Sequence, residues 1–126
     1  MSKWIMVGAI LAAIGVELGA FGAHGLADQL TETGRLGTYE KAVQYQMYHS
    51  LALVMLGLIG VQYRSKLIDY AGILFMVGIF LFSGSLYLLA IFNISWMGAI
   101  APIGGSAFIV GWVLMAVMAG RYSKEQ

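Results

Sequence analysis

Two histidines, one glutamate inside an apolar run and a few amide and hydroxyl side chains are the groups with which this chain could do chemistry. Glu17 precedes His24 by seven positions, which on a helix puts it about 10 Å away on nearly the same face. A carboxylate at such a depth costs about 3 kcal/mol or more. It is therefore expected to face a bundle interior, to pair or to stay protonated; there it would be either a proton or cation site or, as the plainer reading, a neutral carboxyl hydrogen-bonded to a neighbouring helix. His24 and His49 are of the type that binds metal, ligates haem or contacts a quinone headgroup. Two histidines without cysteine or a carboxylate pair leave a zinc site incomplete, so no metal site is predicted. Ser83 and Ser85 have no paired base in the sequence, which argues against a nucleophile and leaves no catalytic residue to name.

The elements that must position these groups are apolar. Stretches 4–23, 47–63, 67–92 and 102–120 occupy most of the 126 residues, in a chain that is 60% hydrophobic and 10% charged. Each is long enough for a hydrocarbon core of about 30 Å. The predicted fold is all-α, an integral membrane four-helix bundle, with one domain over 1–126 and an outer loop over 25–46. The first stretch resembles a signal peptide in having Lys3 before it and small residues after it. It is too long for the apolar segment of one and is interrupted by Glu17, so it is read as a retained helix.

Lys3, Arg64, Lys66, Arg121 and Lys124 fall on one side of the spans, and only Arg35 and Lys41 on the other. By the positive-inside rule both termini face the cytoplasm, in a bacterial inner membrane. A net charge of +1 with no basic stripe excludes nucleic acid as a sensible partner. The absence of cysteine removes disulfides and thiolate sites. The lipid bilayer is the first partner. Gly-rich faces permit, without requiring, a homo-oligomer or a membrane protein partner, and no cofactor is predicted.

Gly15 and Gly19 form a small-xxx-small pair, and Gly22 extends it; plain packing within the molecule is the simpler reading than a dimer motif. From Thr38 the pattern predicts a long helix entering the second span, with Ala42, Gln46, His49 and Leu53 on one face. Pro102 suits a first helical turn and is expected to open span four, with Gly104 and Gly105 baring its backbone; one longer kinked helix is the competing reading. Under this topology Glu17, His24, Tyr45, Gln46, His49, Ser83, Ser85 and Tyr87 all fall in the outer half. Such a cluster either binds something or ties helices together with hydrogen bonds of about 0.6 kcal/mol each, and the tie is the plainer reading.

The segments Leu18 to His24 (LGAFGAH), Tyr45 to Ala52 (YQMYHSLA), Phe82 to Tyr87 (FSGSLY), Pro102 to Gly105 (PIGG) and Gly111-Trp112 occur in an order that resembles the domain of unknown function 423 family, related to the transmembrane protein 256 family. The resemblance covers essentially the whole chain. It implies a four-span inner-membrane protein and leaves the activity open. It adds weight to His24, Tyr45, Gln46, His49, Ser83, Ser85, Tyr87 and Pro102. Glu17 lies outside the pattern, which weakens a family-wide proton-coupling role.

Three functions follow as expectations. The first is a non-enzymatic membrane protein whose outer polar cluster binds a lipid, an amphiphile or a partner helix. The second is a small cation-coupled transporter using Glu17, supported only by a layout shared with small multidrug transporters. The third is a redox component holding haem or quinone at His24 and His49.

Overall fold

The computed structural model describes residues 2–125, and all regular structure among them is helical. With no water to satisfy main-chain groups inside a bilayer, runs this apolar must close their hydrogen bonds within each segment, and the helix does so. Helix α1 (Ser2–Ala23) ends where Gly25 and Leu26 turn the chain, the Leu26 amide donating to the Phe21 carbonyl at 2.8 Å. A short helix α2 (Ala27–Glu32) anchors itself through the fully buried Leu30. Gly34, at φ +70°, supplies the left-handed turn that releases the chain into α3 (Leu36–Gln62). Much of 25–46 is thus helical, and α3 begins two residues before Thr38.

Ser65 accepts a hydrogen bond from the Leu67 amide at 3.2 Å and caps α4 (Lys66–Gly78). The third apolar stretch is not one regular helix, because a π-helical turn over Ile79–Ser83 separates α4 from α5 (Gly84–Phe92). Asn93 stops α5 in the left-handed region at φ 57°. A 3₁₀ turn (Ser95–Ala99) follows, and α6 (Ala101–Glu125) starts with Pro102 in its first turn. Pro102 therefore opens this helix and does not kink a longer one.

Three helical stretches are both long and apolar enough to cross a membrane, Lys3–Ala23, Lys66–Phe92 and Ser95–Glu125. Helix α3 falls outside that set because Tyr45, Gln46, Tyr48, His49 and Ser50 make its middle polar. The chain runs up and down: Lys3 meets Asp69 at 3.3 Å and Tyr63 meets Glu125 at 3.5 Å, so both termini lie at one end with the α3–α4 turn.

Helix α3 is central, with α1 along one flank, α5 beside it and α4 and α6 paired on the other side. Gly8, Gly15 and Gly22 of α1 press on Ser50, Met47 and Tyr39 of α3 with no room for a Cβ, so the small-residue face packs inside the molecule. The apolar core of Leu53, Leu56, Phe75, Ile79 and Phe108 lies where α3, α4 and α6 meet.

Candidate functional site

Two polar constructions share α3. The first is a seam joining it to α1 and α5. Gln46, buried, donates through Nε2 to the Leu11 carbonyl at 2.8 Å and accepts at Oε1 from the Tyr87 hydroxyl at 2.6 Å. One side chain thereby bonds two other helices. Ser83 in the π-helical turn donates to the Ala42 carbonyl at 2.7 Å, and Tyr39 donates to the Leu18 carbonyl. The rings of Tyr39 and Tyr87 meet edge to face at 5.4 Å. Ser50 and Ser85 return to their own helices, on the Gln46 and Phe82 carbonyls. No buried side-chain nitrogen or oxygen among the described residues lacks a hydrogen-bond partner.

The second construction is aromatic and lies between α3 and α6. His49, 4% exposed, stacks on Phe108 with ring centres 3.5 Å apart and planes 8° from parallel. Its Nε2 lies 3.0 Å from the Trp112 indole nitrogen and its Nδ1 2.7 Å from the Tyr45 carbonyl. An indole N–H can only donate, so Nε2 accepts and Nδ1 carries the proton given to Tyr45. His49 is then a neutral imidazole with both nitrogens committed. In front of it opens a cleft of about 540 Å³ lined by Tyr45, Tyr48, His49, Phe82, Gly105, Phe108, Ile109 and Trp112. A Cβ on Gly105 would come no closer than 3.9 Å to the Phe82 ring, so glycine there keeps the cleft open. Gly104, one step away, lies against the Leu81 and Phe82 main chain, where the helix has widened into its π turn.

The structure brings together Tyr45, Gln46, His49, Ser83, Ser85 and Tyr87, and Ala42, Gln46, His49 and Leu53 share a buried face as expected. It does not bring in Glu17 or His24. Glu17 is exposed on α1 and His24 in the turn just after it, and both border a shallow groove with Ala20, Phe21 and Gly25. Of the three outcomes expected for Glu17, facing the bundle interior is the one the structure does not show. Gly15 and Gly19 turn toward α3, and a residue two places after Gly15 is rotated by about 200° to the opposite face.

The shared level expected for the histidines is corrected too. Gly22 packs on Tyr39, ten residues before His49 on α3, which is about 15 Å along the helix. His24 lies beyond even that level, whereas His49 touches Phe75, Phe108 and Trp112 in the middle turns of α4 and α6. Bis-histidine ligation has no geometry here, and a carboxyl outside the bundle lines no path through it. The polar set reaches from the end of the bundle opposite Lys3 and Glu125 to the level of His49, at the middle of α3.

Sequence reasoning missed Tyr39, Phe108 and Trp112. The usable signal was Trp112, because an indole N–H inside an apolar helix needs an acceptor, although the sequence did not say which one. It also missed Trp4, whose indole donates to Asp69 at 2.8 Å and closes the other end of the bundle.

Comparison with known proteins gives one consistent answer. The family described as "Protein of unknown function (DUF423)" matches residues 18–105. A UPF0382 membrane protein of Staphylococcus epidermidis is 44% identical over 123 residues, covering 98% of this chain and 99% of its own. YwdK of Bacillus subtilis, also a UPF0382 membrane protein, is 43% identical over 123 residues, covering 97% and 99%. A third, from Staphylococcus saprophyticus, is 46% identical over 117 residues, covering 93% and 96%. No solved structure matches. The chain belongs to this family and is a multi-pass membrane protein.

Proposed function

We propose, from membership of the DUF423 family, that this is a non-enzymatic inner-membrane protein that holds a lipid or similar amphiphile in the aromatic cleft between α3 and α6. The observation that carries the reading is the contrast between a satisfied interior and an open cleft. Every buried polar group of the seam is spent on a neighbouring helix or on its own backbone, while Tyr45, Tyr48, Phe82 and Phe108 line a cleft of about 540 Å³. An apolar, largely preformed pocket with a few oriented polar groups is the usual form of a small-molecule site. The acyl or isoprenoid body lies against Phe82, Phe108 and Ile109, and the polar end reaches the tyrosines. His49, held by Trp112, is the fixed floor.

The cleft sits in a four-span arrangement with both termini cytoplasmic. What supports a fourth span is the length of α3, 27 residues, which rise about 40 Å, and its place at the centre of the other three. What supports the orientation is that Lys3, Arg64 and Lys66 gather at the end that holds both termini.

Native mass spectrometry of gently solubilised protein tests the reading. The wild type is expected to retain a lipid-sized adduct, and Gly105→Phe, which fills the cleft from a position with room for a side chain, to lose it. An adduct retained equally by both removes the cleft from the proposal.

A further inference from the structure

The end of the bundle that holds both termini carries a second cavity, of about 480 Å³, and its rim is cationic. Lys3 reaches it from the start of α1, and Arg64 and Lys66 from the link between α3 and α4. The acid on that rim, Asp69, is already engaged: it accepts from the Trp4 indole at 2.8 Å and pairs with Lys3 at 3.3 Å. Lys3 also lies 5.4 Å from the centre of the Trp4 ring, so its ammonium is held in place and keeps donors to spare. Among the described residues Lys3–Asp69 is the one ion pair, and the exposed Arg64 and Lys66 have no carboxylate partner. Glu125, 3.5 Å from the Tyr63 hydroxyl, does not line the cavity. Three cations against one carboxylate leave two positive charges unopposed around a concave space. Such charges repel one another unless an anion lies between them.

What adjoins this cavity is apolar. Tyr63 lines it and also lines a cleft of about 420 Å³ between α3 and α6, with Leu58, Ile59, Met118 and Tyr122. We infer that the two together take one anionic phospholipid, its phosphate among Lys3, Arg64 and Lys66 and an acyl chain running past Tyr63 into the apolar cleft. The guanidinium offers a phosphate a fork of donors and the two ammonium groups add point charges. Basic pockets at the ends of membrane helices hold phospholipid headgroups in this way. The cations stand at the end of the spans, where a headgroup lies, and the apolar cleft lies beside them along the helices, where a chain lies. A free phosphate would use the first half of this surface and leave the second without a role. The site is separate from the cleft at His49, with which it shares no lining residue. Tyr63 is fourteen residues beyond His49 in the chain, about 20 Å along a helix.

Full-length protein in detergent, titrated with phosphatidylglycerol and read by native mass spectrometry, tests this. Phosphatidylglycerol is expected to bind more tightly than phosphatidylcholine with the same acyl chains, whose choline group opposes the cations. Arg64→Gln/Lys66→Gln should weaken that binding by about 25-fold, about fivefold for each charge removed, and added salt should weaken it in the wild type. Arg121→Gln/Lys124→Gln removes the same charge from the end of α6 without touching the cavity and should leave binding unchanged. Gly105→Phe should also leave it unchanged, so that failure of this site and failure of the cleft at His49 are told apart. Circular dichroism of each variant confirms that the helices are intact. Equal weakening by the two double variants would show only diffuse attraction to a positive end, and full competition by glycerol 3-phosphate would show a site for a free phosphate. Either result, equal binding of phosphatidylcholine, or loss of binding in Gly105→Phe would overturn the inference.

Discussion

The two sides of α3 are built on opposite principles. Toward α1 and α5, Gln46, Tyr87, Ser83 and Tyr39 form hydrogen bonds that end on carbonyls or on one another. Toward α6, His49 and Trp112 bond each other at the back of the cleft. In lipid the hydrophobic effect does not favour one apolar neighbour over another, so helices are held by close packing and polar bonds. A side that has spent its polar groups on neighbours is a joint. A side that aims them at one another while leaving volume in front has a fixed shape and room for something else.

The largest way to break this comparison is at the joint between α6 and the π-helical turn. Gly104→Val puts a Cβ against the main chain of Leu81 and Phe82, 2.8 Å from the Leu81 carbonyl carbon, which has nowhere to retreat. A loss of about 3 kcal/mol or failure to fold is expected, read by denaturant titration in detergent followed by circular dichroism. Next, Gln46→Leu leaves the Tyr87 hydroxyl without its acceptor and removes the bond to Leu11. It should cost about 1–2 kcal/mol in the same titration while leaving the lipid adduct in place. Retained stability with a lost adduct would mean that joint and cleft are one structure.

Trp112→Phe keeps a ring in the cleft and removes the donor to His49. About 1 kcal/mol of stability should go, and adduct retention should fall more than in Gln46→Leu, because the imidazole is no longer held on both sides. The smallest effect belongs to the outer face of α1. Glu17→Leu touches no group inside the bundle and should stay within about 0.5 kcal/mol of the wild type in detergent. A large loss there would show that Glu17 serves the interior.

Much of this was legible in the chain. Four apolar stretches gave the helices, Pro102 the start of α6, and the spacing of Ala42, Gln46, His49 and Leu53 the buried face of α3. What was hidden was hidden for physical reasons. The partner of His49 lies 63 positions away on a helix whose rotation no local pattern fixes. The π-helical turn arises where Ser83 reaches the Ala42 carbonyl and the main chain of Leu81 and Phe82 meets Gly104, which are tertiary demands. The outward direction of Glu17, by contrast, could have been read: with Gly15 and Gly19 assigned to a helix contact, the residue between them faces the other way.

The most direct test is photolabelling in bilayers doped with a phospholipid carrying a diazirine in its acyl chain, followed by peptide mapping. Label is expected on the segments 45–49 and 105–112 above the exposed faces of α1 and α4, and it should fall to the level of those faces in Gly105→Phe. Label spread evenly over every exposed helix face, and unchanged by Gly105→Phe, would contradict the cleft as a binding site.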